Sequence, residues 1–322
     1  MLLRASRLAV LVPFALSCSG KLDAGWDTPH GQLPIDERSA MVIANDGGRD
    51  NWHGEYALLL AARRQVQLVG VLVNSVTFYP DLELNTAHFR RMVQAARDSG
   101  MRHLPDPTAS VAPLLVKPAS GLIEDTVPNR SEGARLILDA ARRYGTAAHP
   151  LVIATGGPLT DAADAFLMDP TLPERAVVVA SLGNTVDGTI NSGGPNGDVD
   201  PWATVIVASR MRFVQVNGYY DQLLDVPEAR VAELPKNAFG AWMAEKRGEI
   251  LDLNYACDQV SVLAAALPWF AGDVTRMRAQ TSDDPPTLVP DPSGQIWRVG
   301  SGQSDRFRDE MWQMLGDPAT YQ

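Results

Sequence analysis

Residues 41–61, MVIANDGGRDNWHGEYALLLA, decide the fold. Met41, Val42 and Ile43 form a short apolar run that suits a strand buried on both faces. Residues 55–64 read as a helix: Tyr56, Leu59 and Leu60 fall on one side and Leu58 widens that face. The turn between them, residues 45–51, holds Gly47 and Gly48, which open backbone angles closed to other residues. Asp46 and Asp50 flank the glycines. In an open α/β sheet this is the carboxyl end of a strand, where ligands bind. Two acids on one tight loop suit a hard cation such as Ca²⁺. The same residues read equally well as an Asp/Gly-rich turn with solvated acids and a helix cap.

Outward from this unit the pattern alternates strand and helix. Residues 66–73 read as a buried strand and 84–99 as a helix with Phe89, Met92, Val93 and Ala96 at helical spacing. Residues 102–104 read as a short strand, and 106–129 form a Pro-rich excursion. Ser131 caps a helix that Gly145 stops after Tyr144. Strands follow at 151–154, 176–182 and 211–216, with helices at 159–167, 237–253 and 305–315; the 237–253 helix turns Trp242 inward. Residues 288–299 read as a hairpin turning at 291–294. This rhythm predicts an α/β fold, a mainly parallel central sheet with helices on both faces.

The chain of 322 residues suits one large α/β domain over residues 40–322, and 45% apolar content is ample for its core. A net charge of −10 argues against nucleic acid as a partner, because phosphate binding needs a basic patch. Residues 1–20 have the layout of a secretory signal: Arg4 and Arg7, the apolar run 8–16, then Ser17, Cys18, Ser19 and Gly20. That run is too short to span a bilayer. The protein is therefore expected to be exported. Simple cleavage and lipidation of Cys18 stay open, giving a periplasmic or an envelope-anchored form, and a membrane enters only through such an anchor. Residues 21–39 read as a linker. Cys18 and Cys257 are the only cysteines, so the mature chain has no internal disulfide to rely on.

Four separated motifs resemble the nucleoside hydrolase family. The family opens on Asp-x-Asp-Pro-Gly-x-Asp-Asp after its first strand, and residues 44–51 match it with Asp46 and Asp50 at the second and third acids. Ala44 stands at the first acid and Asn51 at the last; if the loop is longer, His53 takes the last place. Residues 151–163, LVIATGGPLTDAA, resemble the family's strand followed by Gly-Pro-Leu-Thr-Asn, with Thr155 at the position whose carbonyl ligates Ca²⁺. Residues 196–201 resemble the Glu-Phe-Asn segment that ends in Asp-Pro. There Asn196 matches the sugar-binding Asn, Gly194 replaces the Glu, and Asp200-Pro201 opens the next helix. Asn191 is the candidate for an upstream ribose-binding Asn, with Asn184 a further option, and Thr77 falls where the other sugar-binding Asn is expected. Cys257-Asp258 resembles the family's His-Asp, so Asp258 matches a Ca²⁺ ligand. Cys257 stands where a His lies near the leaving base, although a small buried residue is the simpler reading of it.

The resemblance covers residues 40–320 and implies an exported Ca²⁺-dependent hydrolase of nucleosides or related N-ribosides. It implies Asp46 as metal ligand and catalytic base, and Asp50, Asn196, Thr77, Asn191 and Cys257 around the substrate. It implies Asn51 or His53, the Thr155 carbonyl and Asp258 as further metal ligands. Asn in place of Asp removes a charge on which Ca²⁺ affinity depends, so the ion is expected to bind more weakly than in full-motif members. The expected partner is a nucleoside-like small molecule, and a homo-oligomer stays open. Hydrolysis of a different sugar and ligand binding without chemistry are the alternatives.

Overall fold

Every residue of β1 (Ala40–Asn45) is buried, as expected for a central strand. A computed structural model describes residues 33, 35, 38–47, 51–77, 79–182, 185–186, 189–191, 194–217, 224–249, 258–282 and 284–322. Around β1 follow α1 (His53–Ala62), β2 (Gln67–Val73), α2 (Leu82–Asp98), β3 (Pro107–Ala109), α3 (Glu132–Tyr144), β4 (Leu151–Gly156), α4 (Thr160–Met168) and β5 (Ala176–Ser181). The second half adds β6 (Thr185–Val186), β7 (Thr189–Asn191), α5 (Gly194–Gly197), α6 (Pro201–Arg210), β8 (Arg212–Val216), α7 (Ala238–Glu249) and α8 (Gln259–Ala266). The chain closes with β9 (Ala271–Gln280), β10 (Thr287–Pro290), β11 (Ile296–Gly302) and α9 (Ser304–Gly316).

The strands form one sheet in the order β3-β2-β1-β4-β5-β8-β11-β9-β10-β7-β6. From β3 to β11 the neighbours are parallel. From β11 to β6 they are antiparallel. The mainly parallel sheet with helices on both faces is therefore present. Its faces can be read from the two-residue period of each strand. Met41, Ile43, Val152, Ala154, Val177 and Val179 join the core layer that includes residues of α1, α2, α7, α8 and α9. Val42, Ala44, Ile153, Val178 and Ala180 join the layer of α3, α4 and α6. A fully buried Val or Leu contributes about 1.5–3 kcal/mol, so these runs hold the sheet and its helical layers together.

Local caps match the sequence reading. The Ser131 hydroxyl accepts the Ala134 N–H at 3.1 Å, and Gly145 ends α3. Asp200 accepts the Ala203 N–H at 3.0 Å with Pro201 in the first turn of α6. Two readings fail. Residues 102–104 are not a strand; the third strand is β3, which pairs with β2 from Pro107. Residues 288–299 are not a hairpin, because β9 lies between β10 and β11 and pairs with both. The polar run of β9 hid it: only Met277 of its residues is buried.

The chain leaves β1 outward to β2 and β3, then returns to β4 on the other side of β1. That reversal makes a crevice beyond the carboxyl ends of β1 and β4, the place where open α/β sheets bind ligands. Of the linker, Ile35 is buried in the core and Leu33 packs against it. Residues 1–20, read above as a signal, and Cys18 with them, lie outside the described residues.

Candidate active site

Asn45 and Gly156 end β1 and β4 side by side in the sheet register. The chain turns at both, and the two turns touch. A Cβ built on Gly156 would lie 2.1 Å from the Asp258 Cβ and 2.4 Å from its carboxyl carbon. A Cβ on Gly157 would lie 3.4 Å from the Asp46 carboxyl carbon. Asp46 and Asp258 thus pack against adjacent glycines of one turn, and a side chain at Gly156 would drive Asp258 out of place. Thr155 folds this turn: its hydroxyl accepts the Gly157 N–H and donates to the Gly157 carbonyl, both at 3.1 Å.

Asp258 sits at the position before α8, yet its carboxylate makes no cap bond. It accepts amide N–H groups instead: Asn45 at 3.0 Å and Asn51 at 2.6 Å on one oxygen, Asn196 at 3.1 Å on the other. Each amide has a second anchor. The Asn45 Oδ1 accepts the Gly47 N–H at 3.0 Å, and the Asn51 Oδ1 accepts the His53 N–H at 2.9 Å. Asn196 also donates to the Ser181 carbonyl at 2.9 Å, which ties α5 back to the end of β5. The Asp258 carbonyl accepts the Ser261 hydroxyl at 2.8 Å.

Of the two candidates for the last signature acid, Asn51 reaches Asp258. His53 points away: its Nε2 lies 3.2 Å from the Ser261 hydroxyl. Burial, with Lys246 adding to it, pushes the His53 imidazole down to about 3, so it is neutral. Thr77 is exposed on a turn closed by Val76 and Tyr79. Asn191 pairs through its backbone with Thr287, and its side chain lies outside the described residues. Asp50 and Cys257 lie outside them too, as does Asn184.

The sequence reading missed residues that shape this crevice. Asn45 is one. Asn85 is another: its amide donates to the Asp46 carbonyl at 2.8 Å, and to the Tyr79 and Asn74 carbonyls at 3.1 and 3.3 Å. It therefore clamps the loops after β1 and β2. A signal existed, since Asn85 stands four residues before Phe89 on the apolar stripe of α2. Behind these loops Asp161 accepts Asn74 at 2.5 Å, Ser110 at 2.7 Å and Ser131 at 2.8 Å. Burial pushes its carboxyl up, and the hydrogen bonds pull it back only in part. Beneath the crevice, Glu55 of α1 accepts Lys246 of α7 at 2.8 and 2.9 Å and the Trp242 indole at 2.9 Å.

No protein-family model matches the sequence, and no curated protein matches it. Solved structures do. The "Purine-Preferring Ribonucleoside Hydrolase from Gardnerella vaginalis" superposes over 88% of this chain and 100% of its own, at TM-score 0.59 and 16% identity. An "Inosine-Guanosine Nucleoside Hydrolase" does so over 86% and 98%, at TM-score 0.61 and 15% identity. A plant nucleoside hydrolase covers 88% and 99%, at TM-score 0.53 and 14% identity. At such identities the likeness speaks for architecture. By its fold, the chain is nucleoside hydrolase-like.

Proposed function

We propose that the protein is an exported hydrolase of the N-glycosidic bond of nucleosides or related N-ribosides. One observation supports this above others: Asp46 and Asp258 share the Gly156-Gly157 turn at the sheet's switch point, in a nucleoside hydrolase-like fold. Cleavage passes through an oxocarbenium-like sugar cation as the C–N bond breaks, and a water adds to the sugar carbon. Asp46 takes the proton of that water. Asp50 binds a sugar hydroxyl, and Asn196, Asn191 and Thr77 line the sugar side. The base departs with the electron pair of the C–N bond and takes its proton from solvent; the resemblance implies Cys257 on that side of the substrate. A signal cleaved near residue 20, or a lipid on Cys18, accounts for export.

The family resemblance also implies Ca²⁺ held by Asp46, Asn51 or His53, the Thr155 carbonyl and Asp258. These residues do not fit a Ca²⁺ shell. The ion takes six to eight oxygens, whereas Asn51 turns its N–H toward Asp258 and uses its oxygen on the His53 N–H. His53 meets Ser261. Among the described residues, no group of three or more His, Cys, Asp or Glu side chains could hold a metal ion.

A screen of purine and pyrimidine nucleosides for release of the free base tests the proposal. Release by the wild type, lost in Asp46→Asn, is the expected result. The second reading, a binding protein without chemistry, is favoured by Ala44 and Asn51, which replace two signature acids. Binding of nucleosides in calorimetry with no base release from any N-riboside would decide for it. Mass spectrometry of protein from its host tests export: an intact Met1 refutes it, and a diacylglycerol mass on Cys18 identifies the anchored form.

A further inference from the structure

We infer that three asparagine amides, from Asn45, Asn51 and Asn196, hold the Asp258 carboxylate where the fold's resemblance calls for Ca²⁺, so that this site assembles without the ion. The hydrogen-bond network fixes which end of each amide faces the acid. Amide oxygen and nitrogen are assigned from their partners. Asn45 Nδ2 faces the Asp258 carboxylate at 3.0 Å and the Gly156 carbonyl at 3.4 Å, while its Oδ1 takes the Gly47 N–H. Reversed, it would set an oxygen against two acceptors and an NH₂ against a donor. Asn51 is fixed in the same way, between Asp258 and the His53 N–H. Asn196 Nδ2 faces two acceptors, Asp258 and the Ser181 carbonyl.

Among the described residues, these three amides occupy at least three of the carboxylate's roughly four acceptor sites. They come from the end of β1, the turn before α1, and α5, so they draw together separate segments as a shared cation would. For Ca²⁺ to enter, these N–H groups must leave Asp258. Asn45 and Asn51 must also reverse, which breaks both turn-closing bonds to Gly47 and His53. An aspartate at position 51 would instead set two carboxylates against each other at the present 2.6 Å contact, and such a pair is relieved by a shared proton or, with both acids ionised at neutral pH, by a cation between them.

The experiment uses the full chain after treatment with a chelator. Calorimetry with Ca²⁺ alone, to about 10 mM, covers the ~10⁻⁴–10⁻³ M dissociation constants of weak extracellular modules. The wild type should show no saturable heat and the same melting temperature in chelator and in Ca²⁺. Asn51→Asp should melt at lower temperature in chelator and recover in Ca²⁺; recovery of folded Asn51→Asp only when Ca²⁺ is present counts the same way. Asn196→Asp, set against the other carboxylate oxygen, repeats the test. Saturable Ca²⁺ binding by the wild type, with a matching rise in melting temperature, overturns the inference. So does an Asn51→Asp protein as stable as wild type in chelator and indifferent to Ca²⁺. Neither readout depends on turnover, so failure here and failure of the proposed hydrolase activity are distinguishable.

Discussion

Glu55 and Asp258 are both buried carboxylates, 0% and 3% exposed, and the protein satisfies them by opposite means. Glu55 meets a full charge, Lys246, across the contact between α1 and α7. Asp258 draws on neutral amides from three segments at the strand ends. The difference separates two tasks. An ion pair buried between helices is costly to break, because either partner alone is a naked charge in the core. Amides shared out over loops each carry a fraction, so losing one distorts the crevice before it unfolds the protein. Stranding one partner of the Glu55 pair therefore costs stability, whereas losing one amide at Asp258 costs the geometry of the site.

The largest expected effect is on turnover. Asp46→Asn should lower kcat by at least ~10²–10⁴-fold, the usual contribution of a positioned proton acceptor. KM should change little, because the base acts in the transition state. Its melting temperature should stay near that of wild type. Steady-state kinetics on the riboside found in the screen checks this, and full activity in the variant rejects Asp46 as base.

Lys246→Met should do the reverse. Stranding Glu55 costs about 3–5 kcal/mol, while the paired replacement Glu55→Leu with Lys246→Met should recover most of it. Urea unfolding measures both. If Lys246→Met is as stable as wild type, the ion pair is not the scaffold's weak point and the contrast between the regions collapses.

Asn51→Ala falls between the two. A hydrogen bond to a charged group contributes about 1.5–3 kcal/mol, and two other amides remain on Asp258. We expect a loss at the low end of that range, with KM raised more than kcat is lowered. An unfolding loss as large as that of Lys246→Met would mean that the crevice, too, is scaffold.

The smallest effect concerns pH. Burial raises the Asp161 carboxyl above its unfolded value of about 3.9. A raised pKa means that the folded state holds its proton more tightly than the unfolded chain. The associated stability is complete below about pH 4 and is lost as pH rises through the folded value. Wild type should therefore lose stability relative to Asp161→Asn above pH 4. Parallel unfolding curves for the two proteins between pH 4 and 8 would show that the hydrogen bonds from Asn74, Ser110 and Ser131 cancel the burial.

Much of the frame was legible because its signals are local. Ser131 and Asp200 cap helices with bonds that reach three residues. The apolar run of β5 is buried because a parallel strand between two helical layers has no wet face. β9 was not legible. Its mixed polar run carries no clean alternation, and its place between β10 and β11 depends on backbone pairing with both. Asn45 was passed over because its partners, Gly156 and Asp258, lie 111 and 213 residues away.

The strand-turn-helix unit at residues 41–61, the alternation that makes a layered α/β domain, and two acids beside a glycine turn are all readable along the chain. Periodicity and caps act between neighbours, so they survive in a linear reading. It takes the folded chain to show that Asn51, and not His53, reaches Asp258 across 207 residues, and that Asn85 clamps the Asp46 loop. Those meetings follow from strand order, which brings the ends of β1 and β4 together. Which end of an amide faces a carboxylate is then set by the backbone N–H groups at its other side.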